Sequence, residues 1–371
     1  MQSALAAQPE LDTELIIIPW AEYRDRLLTT LTAQEAYHQA VFIPGHVLLP
    51  ELATDGRLAV FDNLINTIPR RDIENYNFAD ILPTVAEESG YQGRQYMLPF
   101  FTDGHILFYR SDMFEFDDSE GVTEASPLDL ESMVAATHRP PDVYRLALKA
   151  HPSEIFLDWL PFLWAAGGDV LDENGQLAFS GESGNQALEA YCRLRQYCPP
   201  ETHDFGNAEI ANVLRTGKAV FVTTWGGQAA PIFLDSQNKF REKYKAAMFP
   251  KPWNATWGIA IPANQPVSDQ RDIFQVLLSI TGSDQDQEII KAAGSPVRRS
   301  SHTEAAFAQY PWLEAQQRML EQSGRLPIRP ETAKILGALS EAVYTAFCGQ
   351  MSPEQALLEA KNNAQDMLHG S

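Results

Sequence analysis

The 371-residue chain is poor in cysteine and in positive charge. Its three cysteines, Cys192, Cys198 and Cys348, are odd in number and imply no disulfide framework. Lysine and arginine total 28 against 49 aspartates and glutamates, a formal charge of −21. That balance argues against nucleic acid, whose phosphates demand clustered basic residues, and disfavours an anionic membrane surface for the same reason. No uninterrupted apolar run nears the roughly 18 residues that a membrane span needs. Met1-Gln-Ser-Ala-Leu-Ala-Ala-Gln8 has neither a basic n-region nor a long apolar stretch, so it does not read as an intact signal peptide, and it holds no lipobox cysteine. Catalytic signatures are missing too: there is no G-x-S-x-G, no G-x-x-x-x-G-K-[ST] and no G-x-G-x-x-G. The eight histidines show no H-x-x-x-H and no zinc spacing with cysteine. With 49 carboxylates, some pair can always be drawn as a glycosidase dyad, so such a pair carries little information.

What is there is core material. Apolar residues make up 44% of the chain, which excludes disorder as the dominant state, and the length corresponds to about two domains. Short apolar runs alternate with helix-period stretches, the pattern of α/β architecture. Leu15-Ile-Ile-Ile18, Val41-Phe-Ile43, Ile106-Leu-Phe-Tyr109, Ala219-Val-Phe-Val-Thr223 and Gly258-Ile-Ala-Ile261 read as buried strands. Residues 117–127 are acidic and turn-rich, a solvated loop leading to a helix over 128–136 that His138-Arg-Pro-Pro-Asp142 breaks. Ser352-Pro-Glu-Gln355 is a capping box opening a helix to about Leu368. Before it, Ile335, Leu336, Leu339, Val343 and Phe347 keep an i, i+3/i+4 stripe that ends at a C-capping Gly349. The two helices are expected to pack as a hairpin. No internal repeat is present, which removes solenoids and propellers.

Four segments share an aromatic and glycine-rich strand exit or entry. They are Leu98-Pro-Phe-Phe-Thr-Asp103-Gly-His105, Trp159-Leu-Pro-Phe-Leu-Trp164-Ala-Ala-Gly-Gly168, Gly217-Lys-Ala-Val-Phe-Val-Thr-Thr-Trp225-Gly-Gly227 and Trp257-Gly-Ile-Ala-Ile-Pro262. Val41-Phe-Ile-Pro-Gly-His46 with Leu49-Pro-Glu-Leu-Ala-Thr-Asp-Gly-Arg-Leu-Ala59, Gly294-Ser-Pro-Val-Arg298 and the closing Gly349…Ser352-Pro-Glu-Gln-Ala-Leu357 complete the series. In this order and spacing, from about Pro9 to Leu368, they resemble the extracellular solute-binding protein family 1 of ABC importers, the group that contains maltose-binding protein.

The resemblance implies a two-lobed α/β fold of the type II periplasmic-binding-protein kind, each lobe a mixed sheet flanked by helices. Residues 1–105 and 260–299 would form the first lobe, and residues 106–259 and 300–371 the second. Hinge crossovers are expected near residues 104–109, 256–261 and 298–303. The implied function is capture of a mono- or disaccharide-sized carbohydrate by a non-enzymatic, monomeric receptor. It would hand the ligand to ABC permease subunits, work in the periplasm or outside the cell, and need no cofactor or metal. Residue by residue, Gly45 and His46 match a ligand-contacting loop, and Asp103 matches a carboxylate that bonds sugar hydroxyls. Phe156, Asp158 and Trp159 approximate the second-lobe contact segment. Trp225, with Gly226 and Gly227, matches a stacking position; Trp257 lies at the second crossover and Arg298 after the glycine-proline turn. Carboxylates accept from hydroxyls, Trp faces cover the C–H face of a sugar ring, and Arg298 would serve an anionic sugar.

Two departures qualify this. Only about ten residues precede the segment starting near Leu11, so a first central strand and its ligand loop are expected to be missing. Leu336 and Gly337 stand where a stacking aromatic would support long maltodextrins, which favours a smaller ligand. Other readings are a polyamine or phosphorylated-polyol receptor of the same fold, a carbohydrate-active enzyme, or a degenerate sensor domain.

Overall fold

The computed structural model describes residues 13–18, 20–116, 122–292 and 294–369. One mixed sheet of seven strands holds β1 (Val41–Pro44), β2 (Met97–Arg110), the short strand Thr123–Glu124, β3 (Tyr144–Ala147), β4 (Ala219–Trp225), β5 (Tyr244–Met248) and β6 (Asn254–Ala260). Its main path runs β1-β6-β2-β4-β3, with β5 on β2 and Thr123–Glu124 on β5. The 14 residues of β2 reach about 46 Å at about 3.3 Å per residue, far enough to serve two cores. Residues 97–104 pair antiparallel with β6, from Met97↔Ala260 to Gly104↔Asn254, with a register shift between Pro99 and Phe101. Residues 105–110 pair with β4, His105↔Trp225 to Tyr109↔Phe221, and with β5 on the other edge.

Strand alternation divides the interior. Leu98 and Phe100 join Phe61, Val85, Ile259, Ile261 and Phe274 in a first core. Beyond the crossing, Leu107 and Tyr109 face a second core around Trp159, Phe162, Tyr191 and Phe249, while Ile106 and Phe108 face a third with Val222, Ile232 and Trp312. The asparagine and threonines at the crossing, Asn254, Thr256 and Thr102, bond one another rather than water.

The helices used below are α1 (Trp20–Thr32), α2 (Gly45–Thr54), α3 (Pro83–Glu88), α4 (Ile155–Ala165), α5 (Glu182–Leu194), α6 (Leu313–Gln322), α7 (Thr332–Phe347) and α8 (Pro353–His369). α4 is buried on nearly every side, as its apolar circumference demands. The expected C-terminal hairpin is present. The Gln355 amide donates to Ser352 Oγ at 3.2 Å, Gly349 follows α7 with φ +74°, and the stripe from Ile335 to Phe347 is buried. A helix spans Leu130–Ala136 as expected; of the loop over 117–127, residues 117–121 lie outside the described residues.

One expected strand does not form. Leu15, Ile16 and Ile17 form no regular element and are exposed, and among the described residues no strand pairs with them. β1 pairs with β6 along one edge only. An apolar β-branched run becomes a strand when a neighbour takes its N–H and C=O groups, and here none does. The segment preceding Thr13, on which the expected first strand bears, lies outside the described residues.

Candidate functional site

The crossing of β2 and β6 gathers polar side chains from both halves. Asp103, half-buried at the crossing, accepts through Oδ1 from the backbone N–H of Gly104 at 2.8 Å and of Gly227 at 2.9 Å. Both bonds fall on one oxygen, so Oδ2 is left to accept from something else. Burial pushes this carboxyl up to about 6, against the Gly227 bond and the nearby Lys149 charge. Asp103 has its place because β4 ends in two glycines. A Cβ on Gly226 would stand 2.2 Å from Gln316 Nε2 of α6, so a larger residue there would push that side chain aside.

Beyond Asp103 lies an ammonium that the sequence pattern hid in an apolar stretch. Lys149, fully buried just past β3, places Nζ 3.8 Å from the Trp225 ring centroid and 2.9 Å from Glu154 Oε2. Burial lowers it to about 8, opposed first by Glu154 and also by Asp103 and Asp158. Trp225 meets Trp253 edge-to-face at 4.6 Å and 82°, which makes an aromatic corner beside the lysine. Asp158 forms the frame behind it. Its Oδ2 accepts from Tyr191 at 2.7 Å and Thr223 at 2.9 Å, and its Oδ1 lies 3.0 Å from His105 Nε2. His105 in turn stacks on Phe249 at 4.8 Å.

The first-core side supplies a second polar group. His46 enters at the start of α2, and Gly45 before it is pressed so near Glu88 that a Cβ would stand 2.4 Å from the Glu88 carbonyl oxygen. Glu88 accepts from Asn254 Nδ2 at 2.8 Å, and burial raises it to about 7. Desolvation lowers His46 to about 4, and its Nδ1 has no partner. A small cavity of about 20 Å³ is lined by Gly45, His46, Glu88, Arg325, Leu326 and Ile328 among others. Arg325 pairs with Glu87 beside it, Thr84 Oγ1 donates to the Leu320 carbonyl at 3.2 Å, and Val47 packs on the second core.

The expected residues therefore separate. Asp103, Trp225, Gly226 and Gly227 meet at the crossing, and Gly45 and His46 line the cavity. Trp257 pairs with Phe101 two residues along from the Asp103↔Ala255 pair, and stacks on Phe42 at 5.5 Å and Phe101 at 6.1 Å. Phe156 and Trp159 are packed into the second core, and Asp158 is taken up by three side chains. Arg298 is a correction. It is fully buried in the first half, donating to the carbonyls of Tyr76 at 2.8 Å, Asn77 at 3.3 Å and Thr281 at 3.3 Å, with its guanidinium 4.4 Å from the Tyr76 ring centroid. Carbonyls there take up both terminal nitrogens, while Nε has no partner.

Lys149, Glu154, Glu88, Trp253 and Gln316 were not singled out from the sequence. A usable signal was the lone lysine in Leu146-Ala-Leu-Lys-Ala150, where a buried strand exit carries a charge it has no local reason to hold. Buried polar atoms without partners collect here too: His46 Nδ1, Trp253 Nε1, Thr224 Oγ1 and both amide atoms of Gln316. Unpaired buried groups are costly, and in a native structure they point to a ligand or water. Among the described residues no group of three or more His, Cys, Asp or Glu side chains is placed to hold a metal ion. No helix among them is long and apolar enough to cross a membrane.

Comparison with known proteins gives three findings. The family described as bacterial extracellular solute-binding protein matches residues 2–272. A mannitol-binding protein of Pseudomonas aeruginosa is 25% identical over 317 residues, covering 78% of this chain and 73% of that protein. Among solved structures, a ribitol complex of an ABC transporter solute-binding protein from Agrobacterium radiobacter K84 superposes with a TM-score of 0.85 at 20% identity, covering 99% of this chain and 95% of that one. Maltose-bound MalE3 of T. maritima gives 0.83 at 18% identity, covering 99% and 94%. At these identities the structures establish the fold, a mixed α/β periplasmic-binding-protein architecture.

Proposed function

The chain belongs to the bacterial extracellular solute-binding protein family, and from that membership we propose that it is the receptor of an ABC importer for a polyol or a small sugar. The family captures solutes and is not enzymatic. One observation carries the choice of ligand: the open Oδ2 of Asp103 beside the Trp225–Trp253 corner. A carboxylate oxygen accepts from a hydroxyl, and an indole face covers the C–H bonds of the same carbon skeleton. Mannitol and ribitol are the ligands named for two of the similar proteins, which agrees with a compact polyhydroxy solute. Leu336 and Gly337 on α7 provide no aromatic platform for a long oligosaccharide. Arg298 is engaged elsewhere, which leaves a phosphorylated polyol without the guanidinium it would need.

In this reading residues 1–105 and 260–299 form one lobe and residues 106–259 and 300–371 the other. β2 and β6, which pass between the first and second cores, act as the hinge. A solute touching both sides stabilises the closed form by its differential affinity for it. The receptor works outside the cytoplasm as a monomer and delivers its ligand to the permease subunits.

A thermal-shift screen of D-mannitol, ribitol, monosaccharides, maltose, sugar acids and putrescine tests the proposal. A ligand at 100 times its Kd adds about 2.7 kcal/mol of stability. The expected result is a shift with polyols or small sugars that Trp225→Ala abolishes. A shift with putrescine alone, or none with any polyhydroxy solute, contradicts the proposal.

A further inference from the structure

The surroundings of Lys149 would suit a visiting cation. Two carboxylates, Asp103 and Glu154, act on Lys149 beside the buried Trp225 indole, and Asp158 adds its field. Carboxylates set beside an aromatic face form a seat for an ammonium group. Here the chain itself fills that seat. Lys149 Nζ is 3.8 Å from the Trp225 centroid and paired with Glu154, and no solvent reaches it.

We propose that Lys149 is the residue that sets the chemical class of the ligand: a built-in cation that occupies the ammonium seat, turns amine-bearing solutes away and leaves the cleft to uncharged polyhydroxy ones. This rests on the reading of the cleft as a solute site. With Lys149 in place, an incoming amine meets like charge and finds its carboxylates already neutralised. A polyol meets an acceptor in Asp103 Oδ2, with the buried ammonium and its Glu154 partner behind it. Although burial lowers the lysine to about 8, it remains charged at neutral pH. Asp103, Glu154 and Asp158 are the charged groups that act on it.

The experiment removes the built-in cation and offers a substitute. Lys149→Ala deletes the side chain beyond Cβ, and n-propylammonium has the missing three carbons and nitrogen. Stability and intrinsic tryptophan fluorescence are followed with n-propylammonium, with propan-1-ol as the uncharged control, and with D-mannitol and ribitol. Lys149→Ala should be stabilised by propylammonium at millimolar concentration and not by propan-1-ol, while wild type responds to neither. Polyol affinity in the variant should fall at least tenfold. An equal response to amine and alcohol, or none to either, overturns the proposal, as does polyol affinity within twofold of wild type. If wild type binds no polyhydroxy solute but Lys149→Ala still selects the amine, the seat stands and the polyol reading fails. Should the alanine variant not fold, Lys149→Met keeps the volume; it must then lose polyol affinity tenfold, and retention of that affinity overturns the proposal.

Discussion

Two buried cations, Arg298 and Lys149, sit in the two halves of the molecule and meet very different company. Arg298 has three carbonyls, the Tyr76 ring and the distant Asp80 carboxylate, and its own N–H donates to Asp286 at 3.1 Å. Asp286 takes two further bonds, from the Val297 amide at 2.7 Å and Ser301 Oγ at 2.6 Å. Lys149 has one carboxylate and one indole, and Trp253, which meets that indole edge-to-face, keeps its Nε1 unpaired. A buried charge whose two terminal nitrogens are held by three backbone carbonyls is part of the frame, even with its Nε unpartnered. One that is under-supplied, with open acceptors beside it, awaits a solute.

The largest break in this contrast comes from Arg298→Met. Removing one partner of a buried charged network leaves the others unpaired, at a cost of about 3–5 kcal/mol. Urea denaturation should show that loss, while the fraction still folded binds ligand with unchanged Kd. Next comes pH. Burial raises Glu88 to about 7, so the folded state holds its proton more tightly than the unfolded chain does. Its contribution to stability is present in full below about pH 4.5 and is lost as pH rises through 7. Glu88→Gln removes this dependence. Measured against wild type, the variant should gain stability between pH 5 and pH 8, by at most about 3 kcal/mol.

Asp103→Asn keeps the acceptor geometry toward Gly227 but discards the charge. The expected loss is about 1.5–3 kcal/mol of polyol binding by calorimetry, with a smaller change in unfolding midpoint. Since burial raises Asp103 to about 6, wild-type affinity should weaken as pH falls through 6, and the variant should not follow it. The smallest effect belongs to Arg325→Ala. Its pair with Glu87 is exposed, with side chains 60% and 43% accessible, so stability should move by less than about 1 kcal/mol. Ligand dissociation, followed by stopped-flow fluorescence, should quicken modestly as the mouth loses its clasp.

Much of the frame was legible because its causes are local. Ser352-Pro-Glu-Gln355 caps the last helix through contacts within four residues, and the stripe on α7 needs only its own period. Val41-Phe-Ile43 and Ala219-Val-Phe-Val-Thr223 became strands because neighbours were there to pair with them; Leu15-Ile-Ile-Ile18 carries the same local signal and has no pairing strand among the described residues. The positions of Asp103 and Trp225 came from ordered motifs. Their neighbours did not, because Lys149, Trp253 and Gln316 reach the crossing from separate stretches of chain. Arg298 was misplaced for the same reason: the carbonyls of Tyr76 and Thr281 that draw it inward lie 222 and 17 residues away.

A parallel calorimetric titration of Asp103→Ala and Arg298→Met with the ligand found for wild type bears most directly on the contrast. The account predicts an Asp103→Ala protein that is folded and does not bind, and an Arg298→Met protein that is much less stable yet binds with wild-type Kd. A folded Asp103→Ala protein with full affinity, or a stable Arg298→Met protein that has lost the ligand, would show that the cleft has been put in the wrong half of the comparison.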